Sequence, residues 1–248
     1  MNKIGWCTDT INPLTGCLQG CPYCYARAFA KRLAGRYGYP KEDPFRPTFH
    51  HDKVEAIYNL AGKGKRVFLD SMGDWFSPGV EADWIETVMD AVRCKPEHTF
   101  LVLTKRPAWI ASYLAIEDIP DNLWIGTSIT CRADNRRLVD LCRGLEGVHK
   151  FVSFEPLLGP VGRPQLYEMG IEWVIIGAET GNRAAKVIPK EEWVKEIFLS
   201  WPEDVVFPVY MKNNIMPHLP DWGQIQDSLG CRGSGFLPLQ RREERAPL

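Results

Sequence analysis

The chain has 248 residues, 45% of them hydrophobic and 25% charged, with a net charge of -1. These values exclude a disordered or fibrous chain, and the charge balance excludes a uniformly basic surface that coats nucleic acid, although it leaves room for a local basic groove. No apolar run approaches the roughly 18 residues of a membrane helix, and the opening "MNKIGWCTD" lacks the apolar core of an export signal, so the expected compartment is the cytoplasm.

In chain order, a first strand is predicted in "KIGWCTDTI". The cysteine-rich loop "PLTGCLQGCPYCYA" follows, then a helix through "AFAKRLAGR" that Gly35 and Gly38 bring to an end. Residues 36–52, "RYGYPKEDPFRPTFHHD", are rich in proline, aromatics and charge and predict a long loop laid over the domain. Arg32, Arg36, Tyr37, Tyr39, Lys41, Phe45 and Arg46 give this region a composition able to stack bases and meet phosphates, though the same composition would serve any lid. A helix near "KVEAIYNLAGKG" comes next. Six apolar runs then recur, starting at 66, 98, 123, 150, 172 and 205: "RVFLDSMGD", "HTFLVLTKRP", "LWIGTSIT", "KFVSFEPLL", "EWVIIGAETG" and "VVFPVYMKNN". Helically spaced segments lie between most of them: "EADWIETVMDAVR", "RADNRRLVDLCRGL" and "PKEEWVKEIFLS", the last opened by Pro189.

Near-continuous apolar strands are buried on both faces, which calls for a parallel sheet covered by helices, and right-handed crossovers then give a barrel or an open doubly wound sheet. No glycine-rich nucleotide fingerprint follows the first strand. The expected fold is therefore α/β, a partial or full parallel (β/α) barrel in a single domain over residues 1–240, with a loop-rich insertion at about 36–52 and a flexible tail at 241–248. Polar residues after the strands would gather at one rim: Asp74, Lys105, Ser128, Glu155 and Glu179, joined by Lys212 if "PVYMK" is the last strand. Each of these is as readily a solvated or capping residue as a functional one.

Eight cysteines occur. The expected compartment is reducing, so free thiols rather than disulfides are predicted. Cys94 and Cys142 fall in helical apolar patterns as small buried hydrophobes. Cys7 and Cys231 have no assigned role, and Cys131 is the remaining thiol near the expected mouth. The cluster Cys17, Cys21 and Cys24 is different. Structural zinc takes four ligands, commonly as two pairs, and neither a second cysteine pair nor a histidine pair is present at matching spacing. A 4Fe-4S cluster that only stores an electron also takes four thiolates, whereas three leave one iron open to bind something else.

The spacing C-x3-C-x2-C with Tyr23 before the third cysteine resembles the cluster motif of the radical S-adenosylmethionine (radical SAM) enzymes. This resemblance implies that Cys17, Cys21 and Cys24 hold a 4Fe-4S cluster, that S-adenosylmethionine chelates the open iron, and that Tyr23 lies beside the adenine. It further implies reductive cleavage of S-adenosylmethionine to a 5'-deoxyadenosyl radical that abstracts hydrogen from a substrate, and an electron donor such as flavodoxin or ferredoxin. The blocks "INPLTGCLQGCPYCYA", "RVFLDSMGDWF", "TFLVLTKRP", "VSFEPLLGPV" and "WVIIGAETG" resemble more closely the phage protein gp37/gp68 family, a radical SAM-like group.

Within that resemblance, Asp74 is the candidate partner of the methionine ammonium, with Ser71 beside it. "SMGD" stands where the wider superfamily has Gly-Gly-Glu. Lys105 would meet the methionine carboxylate or an anionic substrate, or neutralise a buried carboxylate. Ser128 and Glu155 would meet the ribose. Glu179 and Lys212 fall late in the barrel, where substrate is expected, and Cys131 is a candidate hydrogen-atom donor or substrate contact. The substrate class stays open among nucleic acid or nucleoside, peptide and small molecule. The alternative to an enzyme is a non-catalytic module in which a cluster or a zinc ion braces the loop.

Overall fold

In a computed structural model of the protein, residues 4–180, 183–199, 201–202 and 208–221 are described. The chain opens with β1 (Asp9–Ile11) and β2 (Leu14–Thr15), passes through the cysteine loop into α1 (Tyr25–Leu33), and returns in β3 (Thr48–Phe49), which pairs antiparallel with β2. After α2 (His51–Tyr58) come β4 (Arg66–Leu69), α3 (Ala82–Arg93), β5 (Thr99–Thr104), β6 (Leu123–Ser128), α4 (Arg136–Gly144), β7 (Lys150–Phe154), β8 (Trp173–Ile176), α5 (Glu191–Phe198) and β9 (Val209–Met211). Seven strands form one parallel sheet in the order β1-β4-β5-β6-β7-β8-β9.

The two faces of these strands sort by the alternation of period 2. Val67, Leu69, Phe100, Val102, Ile125, Val152, Val174 and Ile176 face outward and bury against the helices through Ile57, Ile85, Met89, Leu138, Leu141, Val194 and Ile197. The inward face is layered by strand register. Phe68, Leu101 and Trp124 lie side by side near the strand starts. Leu103, Gly126, Phe151 and Trp173 form the next row, and Ser128, Ser153, Ile175 and Tyr210 the one above it. Trp6, from the segment before β1, plugs the lower rows, with its ring 4.6 Å from Phe68, 5.8 Å from Trp173 and 6.3 Å from Phe151. Gly126 is required here: a Cβ on it would stand 2.7 Å from the Phe151 ring.

The sheet curls into a half-barrel. Among the described residues β1 pairs only with β4 and β9 only with β8, so the partial barrel, not the full one, is formed. The chain departs from a strict strand-helix alternation in two places. After β5 it makes 3-10 turns at Pro107–Ser112 and Ile116–Asp118, and between β7 and β8 the proline- and glycine-rich stretch contains no helix. The predicted helix "RADNRRLVDLCRGL" is a 3-10 turn over Arg132–Asp134 before α4 begins, because the Asp134 carboxylate accepts from the Thr130 N–H at 2.9 Å and its hydroxyl at 2.7 Å.

The segment expected as an overlying loop is partly tied down. Phe45 is buried with the Arg27 guanidinium 4.9 Å over its ring, and Tyr39 is half-buried near His50. Of the three aromatics expected to stack bases, only Tyr37 is exposed, at 80%. β3 and the start of α2 lie within the 36–52 span. The first residues of the strand predicted from 205, Cys231 and the 241–248 tail lie outside the described residues. Among the described residues, no helix is long and apolar enough to cross a membrane.

Candidate active site

All six strand-end residues singled out in the sequence follow or end a parallel strand, so the sheet carries them to its C-terminal rim. The cysteine loop joins that rim from β2. Gly16 starts it with a φ of +90°, its N–H donating to the Met72 carbonyl at 2.9 Å, and the Cys17 N–H donates to the Phe45 carbonyl at 3.0 Å. The Leu18 N–H donates to Ser77 Oγ at 2.9 Å. Cys24 caps α1: its Sγ accepts the Arg27 N–H at 3.4 Å, while the Arg27 guanidinium donates to the Cys17 carbonyl at 3.1 Å. Cys17 Sγ accepts the Gln19 N–H at 3.3 Å. Burial pushes the Cys17 thiol up, and the negative charge of Asp74 adds to this.

The three cysteines are half-buried, and Cys17 and Cys24 pack on Ala26, Ala30, Phe45 and Met72. Among the described residues, no three His, Cys, Asp or Glu side chains are placed to share one metal ion. Thiolates that carry corners of a cubane bind separate irons and need no such common point. Backbone N–H donors already directed at two of the sulfurs suit cluster ligands, whose sulfurs accept hydrogen bonds of this kind.

Beneath the loop, two aspartates hold the turn after β4. Asp70 takes the left-handed conformation (φ +57°), which Asp tolerates, and accepts from the Leu14 N–H at 2.7 Å and from the Trp75 indole. Asp74, also buried, accepts from the Phe76 N–H at 3.1 Å, the Thr104 hydroxyl at 2.8 Å and the Lys105 N–H at 3.0 Å. Ser71 donates to Asn12 Oδ1 at 3.0 Å, and its carbonyl accepts the Tyr25 hydroxyl at 2.6 Å. Lys105 carries its ammonium 6.0 Å from the centre of the Tyr23 ring. Burial, followed by Cys21, raises the Tyr23 phenol, and Asp134 and Arg137 are near enough to perturb it in opposite directions. Arg137 in turn binds Asp134 at 2.8 Å and the Ser128 carbonyl at 2.9 Å.

On the far side of the mouth, Lys212 after β9 forms an ion pair with Glu155 after β7, reaching across the end of β8. Gly177 makes the crossing possible, since a Cβ there would stand 2.9 Å from Lys212 Cδ and 3.1 Å from Glu155 Cδ. Glu179 is buried in a two-pronged pair with Arg183, 2.7 Å at each contact, and that guanidinium holds its carboxyl below the usual range. Cys131 is half-buried behind the end of β6, its Cβ 3.2 Å from where a side chain on Gly159 would begin.

The family described as "Protein of unknown function (DUF5131)" matches residues 1–206. This chain belongs to that family. No curated protein gives a match. Among solved structures, a double mutant of spore photoproduct lyase with bound AdoMet and dinucleoside spore photoproduct superposes with a TM-score of 0.50 and 11% identity, covering 70% of this chain and 57% of the lyase. The lyase complexed with dinucleoside spore photoproduct gives 0.48 and 13%, covering 76% and 59%. The chain thus spans less than three-fifths of the lyase chains it matches. The likeness is one of fold, and the fold of this DUF5131 chain is a radical SAM-like partial barrel in a single domain.

The rim of the DUF5131 barrel divides by chemistry. Beside β4 to β6 stand the cysteine loop, Asp74, Lys105, Tyr23 and Ser128; beside β7 to β9 stand Glu155, Lys212 and Glu179. Several supporting residues had no sequence signal. Asn12, Ser77 and Arg27 matter only because the fold brings them to Ser71, Leu18 and Cys17. Asp70 sits in the same block as Asp74 and is distinguished from it only by contact.

Proposed function

We propose that this protein is an iron–sulfur enzyme of the radical SAM type, with Cys17, Cys21 and Cys24 holding a 4Fe-4S cluster and S-adenosylmethionine bound at the rim beside them. The observation that carries this reading is three thiols, two with sulfurs already accepting backbone N–H groups, on the C-terminal rim of a parallel half-barrel. When bound, the cluster and S-adenosylmethionine supply one-electron cleavage to a 5'-deoxyadenosyl radical that takes hydrogen from a substrate.

The chain's own residues position and shield. Tyr23 offers an aromatic face beside the third cysteine, and the Lys105 ammonium above it meets a carboxylate. Asp74 receives the Lys105 N–H and so fixes where that lysine starts, while also placing negative charge near an ammonium. Ser71 lies next to Asp74, and Ser128 and Glu155 supply hydrogen-bonding groups for a ribose. Lys212, Glu179, which is paired with Arg183, and Cys131 remain the candidates for the substrate side, with Cys131 as the candidate hydrogen-atom donor. The aromatic rows below exclude water from the floor.

Nucleosides or nucleic acid are the first substrates to try, because the lyase of similar fold is solved with a dinucleoside photoproduct; peptides and small molecules follow. The electron comes from a flavodoxin- or ferredoxin-type carrier in a reducing cytoplasm. The block-by-block likeness to phage gp37/gp68 proteins belongs to the same reading.

Anaerobic reconstitution tests it. About four irons and four sulfides per chain are expected for this cluster, with 5'-deoxyadenosine formed on reduction in the presence of S-adenosylmethionine. Stoichiometric zinc in place of iron would return the protein to the braced-loop alternative.

A further inference from the structure

The cysteine loop has an outer side as well as the side that faces the mouth. α1 buries Ala26 and Ala30 against Cys17, Cys24, Phe45 and Met72, so its opposite face is left to solvent. Phe29 is 43% exposed with the Arg32 guanidinium 5.0 Å over its ring, and Leu18 in the cysteine loop is 52% exposed. Residues 10–41 contain Arg27, Lys31, Arg32, Arg36 and Lys41 and no Asp or Glu, in a chain whose total charge is -1. Lys31, Arg32, Arg36 and Lys41 pair with no carboxylate among the described residues. With 1.5 Å of rise per residue, Lys31 and Arg32 lie only about 11–12 Å along the helix from Cys24.

We infer that the exposed C-terminal half of α1 and the residues just after it, with Lys31, Arg32 and Arg36 and the exposed Phe29, are the docking surface for an acidic one-electron carrier protein that reduces the cluster. The inference rests on the proposed cluster at Cys17, Cys21 and Cys24. Three observations favour a carrier over a nucleic acid strand. Arg32 lies over the ring of the exposed Phe29, an aromatic and cation combination enriched at protein interfaces. The aromatics expected to stack bases are largely turned inward, Phe45 buried and Tyr39 half-buried. Lys31 and Arg32 also lie only about 11–12 Å along the helix from Cys24, a separation suited to electron transfer into a cluster there and of no use to a nucleic acid strand. In the step itself, one electron leaves the carrier's reduced centre and enters the cluster; no bond forms and no proton need move. Charge complementarity acts mainly on the encounter rate and is screened by salt.

The test uses anaerobically reconstituted holoprotein and a reduced flavodoxin as the carrier, with a low-potential viologen, a small cation that needs no docking surface, as the control donor. Iron content is measured first: a wild-type chain that binds no iron refutes the underlying cluster reading, before any carrier is added. With iron present, Lys31→Glu/Arg32→Glu/Arg36→Glu should lower the second-order rate of cluster reduction by flavodoxin at least about tenfold at low salt. The difference should shrink at high salt, and the viologen rate and iron content should stay at wild-type values. The Lys31→Gln/Arg32→Gln/Arg36→Gln variant, milder at the helix end, should give an intermediate rate and guards against misfolding of the reversal. An unchanged flavodoxin rate in both variants, or an equal loss with the viologen, overturns the proposal. So does tight low-salt binding of a labelled single-stranded oligonucleotide that the triple variant abolishes while flavodoxin reduction is untouched.

Discussion

Asp74→Asn separates two roles that one carboxylate can play. Its Oδ1 accepts from the Phe76 N–H and the Thr104 hydroxyl, and its Oδ2 from the Lys105 N–H, all within a residue that is 5% exposed. An asparagine keeps one acceptor oxygen. If that oxygen stays with Phe76 and Thr104, the new amide nitrogen confronts the Lys105 N–H, donor against donor. A bond to a charged acceptor is lost, at about 1.5–3 kcal/mol, and a backbone N–H is left without its partner. For a chain of this size each kcal/mol moves the melting temperature by about 2–4 °C, so the expected fall is about 3–12 °C. The assay is anaerobic thermal unfolding of the cluster-loaded protein at one fixed scan rate, because unfolding with a cluster is not reversible. Thr104→Ser, which keeps the hydroxyl, is the control and should melt near the wild type. The visible absorption should survive, and S-adenosylmethionine affinity should drop because Lys105 loses its anchor. A melting temperature within about 1 °C of wild type, outside the range above, would refute the bracing role, and weaker binding alone would then leave Asp74 as a direct partner of the ammonium.

Alanine at Cys17, Cys21 or Cys24 should abolish the iron–sulfur absorption, whereas Cys94→Ser and Cys142→Ser should keep it; equal loss in all five would mean general instability. Gly126→Ala should destabilise by about 1–3 kcal/mol through overpacking against the Phe151 ring, read as a lower melting temperature, and an unaffected protein would show that the interior rows are loose. Burial raises the Asp70 carboxyl to about 8. The unfolded chain would release that proton near pH 4, so its contribution to stability is complete below about pH 4 and is lost as pH rises through about 8. Asp70→Asn should therefore flatten the decline of melting temperature between pH 5.5 and 8.5, and parallel slopes for mutant and wild type would sink this reading.

The strands were legible because both faces of a covered parallel sheet are apolar. Runs predicted from 66, 98, 123, 150 and 172 appear as β4 to β8 starting at Arg66, Thr99, Leu123, Lys150 and Trp173. The β2–β3 pair was not legible: two residues per strand carry no periodicity, and their register depends on Gly16 and on contacts with the turn after β4. Nor could spacing show that the first three residues of the "RADNRRLVDLCRGL" pattern form a 3-10 turn, since the Asp134 side chain captures Thr130 there. At the site, the rim positions followed from topology alone, but their partners did not. Glu179 was expected on the substrate side of the mouth; the structure turns it onto Arg183, four residues on, a pairing that needs the local backbone to be known. Glu155 and Lys212, 57 positions apart, meet only because Gly177 lacks a side chain.

The interior rows also locate where specificity can reside. Going up the half-barrel, the inward residues change from Phe68, Leu101 and Trp124, through Phe151 and Trp173, to Ser128 and Ser153, and end at Glu155 and Lys212. Trp6 fills the space below, so a substrate cannot descend past the serine row without displacing a ring packed at 4.6–6.3 Å from its neighbours. A buried aromatic of that kind costs about 3–5 kcal/mol to remove, more than a small ligand readily supplies. The ligand-facing surface is therefore shallow, limited to the last inward residue of each strand and the loops beyond it. Those loops differ most from a regular repeat after β5, where 3-10 turns replace a helix, and after β7, where proline and glycine replace one. In the proposed enzyme, exchange of those two segments, rather than of the aromatic floor, is expected to change the substrate while leaving the cysteine loop and its braces in place.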